Sequence, residues 1–192
     1  ISDAAGRSAY ETILGRPPAH QPINEGTANP EEAKTIEALN QMARDALRSG
    51  DTALARFELE GAKRDYELAL SSAESVSNLQ VVAQAQQKLA QISSKEGDAY
   101  TASGYLEARV QTLKELGNSE KIAEAQWELA KTQMEAGELE EARKMFVSAI
   151  QIFARLNLYE KARAAEMDMA DLEKEAGNIP AALSILQKIM RE

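Results

Sequence analysis

From Leu139 to Leu156 the apolar residues fall in steps of three and four: Leu139, Ala142, Phe146, Ala149, Ile150, Phe153 and Leu156. Side chains so spaced share one face of a helix, so the stretch predicts an amphipathic helix with one continuous apolar stripe. The stretch before it carries Ile122, Leu129 and Ala130 in the same way, and Gly137 separates the two. Neither helix can bury its stripe alone. Stacked neighbours must cover both.

The unit repeats. Gly97, Gly137 and Gly177 stand 40 residues apart, as do Leu89-Ala90, Leu129-Ala130 and Met169-Ala170. Ala102, Ala142 and Ala182 form a third column, and Tyr66, Leu106, Phe146 and Leu186 a fourth. The glycines suit the left-handed residue that closes a helix without a Cβ penalty. Asp98, Glu138 and Asn178 follow them, where a polar or acidic residue favours the start of the next helix. The alanines let paired helices approach, and the large residues fill the space beside them.

These columns resemble the tetratricopeptide repeat in a form with a 40-residue period. Leu129, Ala130, Gly137, Ala142, Phe146 and Ala149 carry the likeness, which covers roughly residues 31–192. Arg109 and Ile189 depart from it, standing where a small second-helix residue is usual. The resemblance implies an all-α fold, a right-handed α–α solenoid of about four helix pairs. The pairs are expected at about 30–76, 77–117, 118–157 and 158–192.

Residues 1–29 break the pattern. Gly6, Gly15, Pro17, Pro18, Pro22 and Gly26 punctuate them too densely for a long helix, although Ser2–Leu14 could form a short one. The segment reads as an extended arm or a linker to something upstream, with a course across the repeats as the alternative; the chain begins at Ile1 rather than Met. Pro30 suits the opening turn of the first helix, expected over Pro30–Ser49. Gly50-Asp51 looks like the Gly-acid turn of later repeats, yet Gly50 lies 47 residues before Gly97. The seven extra residues are placed between Gly50 and Ala62, predicting a long second helix over about Asp51–Glu74 that takes in Leu54, Phe57 and Leu59. At the other end, Leu183, Ile185, Leu186, Ile189 and Met190 offer more apolar positions than one neighbour needs. An extra capping helix, frequent in arrays of this type, is not evident.

Composition narrows the chemistry. With no Cys, disulfides, thiolate zinc sites and thiol nucleophiles are excluded. His20 is the only histidine and has no metal-ligating companion. Phosphate-cradling glycine loops are absent. Glu140-Glu141 and Asp168-Asp171 are read as solvated helix acids rather than a catalytic pair. The expectation is a non-enzymatic protein with no cofactor or metal. A net charge of −9 disfavours nucleic acid and favours a basic or apolar partner. No apolar run approaches the roughly 20 residues needed to span a bilayer. Compartment is left open, with the cytoplasm favoured over export.

The resemblance places ligands on the first helices' concave side. Off the apolar stripes there lie Gln84, Gln87 and Gln91; Glu124, Trp127, Lys131 and Met134; and Ala164, Met167, Asp171 and Lys174. Arg44 and Arg48 extend the set. Trp127, the only tryptophan, falls about 130° around its helix from the stripe and, with Met134 and Met167, forms a candidate anchor; the alternative is a packing wedge. Gln87 and Gln91 replace the basic-and-Asn arrangement with which some relatives clamp a peptide carboxylate. The expected function is a protein–protein adaptor binding a peptide or helix. Self-association through the N- or C-terminal edge and ligand sensing within a larger protein are the alternatives.

Overall fold

The computed structural model describes residues 29–191. The proposed arm, the Ser2–Leu14 helix and His20 lie outside the described residues. Among these, every regular element is a helix. Two compact units divide the chain, Ile1–Leu116 and Gly117–Glu192. The first contains α1 (Pro30–Ala55), α2 (Leu59–Ser75), α3 (Leu79–Lys95) and α4 (Ala99–Leu116). The second contains α5 (Ser119–Glu135), α6 (Leu139–Arg155), α7 (Tyr159–Glu175) and α8 (Ile179–Ile189). Within each unit, consecutive helices pack on one another.

The helices are cut at intervals of 20 residues. Phe57, Ser77, Gly97, Gly117, Gly137, Asn157 and Gly177 all have positive φ, between 54° and 79°. After six of them the next residue donates its N–H to the carbonyl five back, from Glu58 to Ala53 at 3.0 Å through Asn178 to Glu173 at 2.7 Å. That bond satisfies a carbonyl left over at each helix end. The new helix then starts at once. Asn78 and Asn118 accept from the backbone N–H three residues on, and Asp98 accepts from Thr101. At α1, Asn29 and Glu32 form a reciprocal capping box with Pro30 in the first turn.

The expected first turn is corrected. Gly50 is not a turn but a buried residue inside α1, and the chain reverses at Arg56–Glu58. Counted from Phe57, the 40-residue period holds without an insertion. The extra length sits at the front of α1, which has 26 residues against 17 for α5, 9 more. The second helix begins at Leu59, so no long Asp51–Glu74 helix forms. Gly50 occupies the small-residue column of Ala90, Ala130 and Ala170. A Cβ there would lie 2.5 Å from Cε1 of Tyr66, so the glycine answers the largest ring in the facing column.

Packing follows the columns. In the second unit, Ala130, Ala142, Phe146 and Leu172 form one buried cluster, and Ala123, Ala149, Phe153 and Ala162 another. A column of polar groups is buried as well: Gln86, Gln126 and Glu166, again 40 apart. Each accepts from the second helix of its pair, from Thr112 at 3.1 Å, Ser148 at 3.0 Å and Lys188 at 2.6 Å. Satisfied inside the pair, they fix its register rather than destabilise it.

Candidate partner-binding site

In the first unit, α1 and α3 run side by side without closing on each other. Asn78 donates to Asn40 at 2.6 Å, and Lys88 to Asp51 at 2.6 Å. Between and beside these bonds lies a cleft of about 570 Å³. Its apolar floor is Leu47 and Val81, both nearly buried. Arg44, Arg48 and Lys88 bring positive charge to the lining, with Asp51 the one acid among the residues that form it.

The cations are held loosely at the rim and firmly at the base. Arg44 reaches Glu37 at 3.4 Å and Arg48 reaches Asp45 at 2.6 Å, both pairs exposed and therefore weak. Lys88 instead sits over the Tyr66 ring, 6.0 Å from its centroid, while the Tyr66 hydroxyl donates to Asp51 at 2.8 Å. Burial works to raise the Asp51 carboxyl. The hydrogen bonds from Lys88 and Tyr66 outweigh it and hold that carboxyl below the ordinary carboxylate range. Burial, and then the carboxylate beside it, pushes the Tyr66 phenol well above its usual value.

In the second unit, α5 and α7 fill the corresponding place. Ten residues before its turn, α1 carries Leu47 where α5 carries Trp127. The Trp127 ring packs edge-on against Phe153, at 6.0 Å between centroids, and touches both buried clusters. Its indole N–H donates to Asp168 of α7 at 2.7 Å. Nearby, Lys161 donates to Glu120 at 2.7 Å and to Glu124, so those carboxylates raise the lysine's pKa. A large ring thus stands where the first unit has a leucine, and three side-chain bonds cross between α5 and α7.

The expected site residues are thus distributed unequally. Gln84 and Gln87 come together with Arg44 and Arg48 in the cleft, while Gln91 lies half-buried outside its lining. Glu124 is engaged by Lys161, Trp127 by Asp168, and Met134 packs half-buried against the Phe146 cluster. Lys131, Met167, Asp171 and Lys174 are exposed on the second unit, and Ala164 is half-buried. Leu47, Asp51, Asn78, Gln80, Val81 and Lys88 escaped the sequence reading. The signal for the glutamines was present: Gln80, Gln84, Gln87 and Gln91 are spaced 4, 3 and 4, one polar face of α3. The misplaced turn at Gly50 hid the equivalence of Leu47 and Trp127.

No group of three or more metal-ligating side chains gathers among the described residues, and no described helix is long and apolar enough to cross a membrane. No protein-family model matches the chain, and no curated protein does. Solved structures do. A kinesin light chain-like protein of Podosopora anserina with nearly identical TPR-like repeats is 19% identical, over 80% of this chain and 74% of that one, with a TM-score of 0.62. BtubC (BKLC) from P. vanneervenii is 16% identical over 98% of this chain and 74% of its own, with a TM-score of 0.65. At these identities the likeness concerns the fold, which is all-α and TPR-like.

Proposed function

We propose that the protein is a non-enzymatic adaptor that binds a peptide segment of a partner protein, and that the cleft of the first unit is where the segment docks. The carrying observation is the cleft itself, an open 570 Å³ space with an apolar floor and three cations in a chain of net charge −9. An apolar side chain of the segment rests on Leu47 and Val81. An acidic one faces Arg44, Arg48 and Lys88, while Gln84 and Gln87 offer amides to its backbone. The net charge alone led to the expectation of a basic or apolar partner; the local charge favours an acidic segment with an apolar anchor. On the second unit, Lys131, Met167, Asp171 and Lys174 offer a further contact surface. Trp127 with Glu124 and Met134 supports it from beneath, and Gln91 flanks the cleft on the first.

Selection from a random peptide-display library on the whole chain tests this. Enriched peptides should pair acidic with apolar residues, bind less tightly as salt rises, and lose binding on Arg48→Glu. Leu47→Trp, which brings the Trp127 ring to the cleft, should also abolish binding while leaving the helical content unchanged. Enrichment of basic peptides, or binding indifferent to both substitutions, would overturn the assignment.

A further inference from the structure

The charges of the first unit's cleft are not equivalent. At the base, Lys88 and Asp51 are paired at 2.6 Å and cancel each other. Arg44 and Arg48 remain at the rim, so the lining keeps two net positive charges, both carried by guanidinium groups. The two arginines are one turn apart on α1. Their Cβ atoms therefore lie about 5–6 Å from each other on one face of the helix.

Each arginine already has a carboxylate within reach. Arg44 meets Glu37 at 3.4 Å and Arg48 meets Asp45 at 2.6 Å, in exposed pairs whose acids do not line the cleft. A carboxylate brought by a ligand exchanges one such bond for another of the same kind, with little gain. A phosphate monoester differs in both charge and shape. It bears about −1.5 to −2 at neutral pH and offers three acceptor oxygens. Those oxygens can take hydrogen bonds from both guanidinium forks at once, which the two oxygens of a carboxylate cannot do as fully. The phosphate also balances the two charges of the lining, where a carboxylate balances one.

We infer that the cleft selects a phosphorylated side chain of the partner's segment, so that phosphorylation of the partner strengthens docking; this rests on the peptide-docking reading. The phosphate lies between Arg44 and Arg48 and displaces their bonds to Glu37 and Asp45. An apolar residue next to it in the segment rests on Leu47 and Val81, both nearly buried. An acidic side chain takes the same place more weakly. Glu37 and Asp45, beside the arginines, limit the site to a single phosphate group. A nucleic-acid backbone or an anionic membrane surface, with its many phosphates, would meet those carboxylates and a chain of net charge −9.

Oriented peptide libraries, alike except for a fixed serine, glutamate, phosphoserine or phosphotyrosine, test this on the whole chain. A phosphorylated library should be bound at least about tenfold more tightly than the glutamate one, with apolar residues enriched beside the fixed position. Arg44→Gln and Arg48→Gln should each bring that ratio close to one; both side chains are exposed, so the circular dichroism should not change. Arg48→Lys, which keeps the charge and loses the fork, should retain only part of the preference. Equal binding of the glutamate and phosphorylated libraries would overturn the inference and leave peptide docking standing. A phosphate preference that survives both glutamine variants would overturn it as well. If no library is bound, both readings fall.

Discussion

Gly50→Ala sets two ordinary expectations against each other. In a helix interior, replacing glycine by alanine stabilises by about 0.5–1 kcal/mol, because glycine loses more backbone freedom on folding. Here the new methyl would stand 2.5 Å from Cε1, 2.7 Å from Cδ1 and 3.0 Å from Cζ of Tyr66. Carbon atoms in good contact are about 3.5–4.0 Å apart, so the ring must move by roughly 1 Å. Tyr66 has no exposed surface and its hydroxyl donates to Asp51 at 2.8 Å. Moving it costs overpacking strain of about 1–3 kcal/mol and weakens a hydrogen bond worth about 1 kcal/mol. Strain exceeds the propensity gain, and the variant should be less stable by roughly 2 kcal/mol, lowering the melting temperature by about 4–8 °C. Circular dichroism with heat and with urea measures this. The decisive comparison is a cycle with Tyr66→Leu, which copies the chain's own pairing of Ala90 with Leu106. In that background Gly50→Ala should turn stabilising, by up to about 1 kcal/mol. A higher melting temperature for the single variant, or additivity within about 0.5 kcal/mol, would refute the packing argument.

Phe57 adopts φ 62° with 90% of its surface exposed, in the column where Gly97, Gly137 and Gly177 stand; Phe57→Gly should raise the urea midpoint by an amount equivalent to about 1 kcal/mol, with m unchanged. Arg143→Ala removes two bonds to the buried Glu173 and leaves it the bond from Asn178, and should cost about 3 kcal/mol by urea unfolding. Arg143 holds the Glu173 carboxyl below its usual value, as Lys88 and Tyr66 hold Asp51 despite burial; their contribution is present above about pH 4 and lost as pH falls below it, so Arg143→Ala should flatten the acid limb of a stability–pH curve. The Tyr66 phenol is raised by burial, so its contribution is intact below about pH 10 and lost above; Tyr66→Phe should remove that alkaline decline. Trp127 emission should be weakly quenched by acrylamide, and Asp168→Ala, which takes away the indole's acceptor, should make it more accessible without unfolding the chain.

The fold was legible because its signals are local. An apolar stripe, a small-residue column and a left-handed turn each announce themselves within a few residues, and four columns at one spacing leave little choice of architecture. The first turn was misread for a reason of the same kind. Glycine is the usual left-handed residue, so Gly50 attracted the assignment, while a bulky Phe57 stood in the true position. Spacing outweighs residue type there, because Phe57 keeps the interval of 20 to Ser77 and of 40 to Gly97. Gly50 is explained only by Tyr66, 16 positions away, a contact invisible to any helical period.

The candidate site was less legible because it depends on differences between repeats. Trp127 attracts notice as the sole tryptophan, yet its N–H is taken by Asp168 and its ring lies among Ala123, Phe146 and Phe153. Leu47 attracts none, and the space beside it is open. A repeat makes each column's common residue easy to read and hides the exceptions, since an exception looks like noise until the register is known. Asp51 shows the same effect. As the acid after a glycine it looks like a helix start, but it lies inside α1, tying Tyr66 of α2 to Lys88 of α3. That link joins three helices through one carboxylate and sets the base of the cleft. Packing of the first pair and charge at the proposed docking place are therefore coupled: a change at Gly50 or Tyr66 displaces Asp51 and releases Lys88. An acidic segment would then meet a freer ammonium on a less rigid floor, so stability and binding should change together at these positions, and at Arg44 or Arg48 binding alone should change.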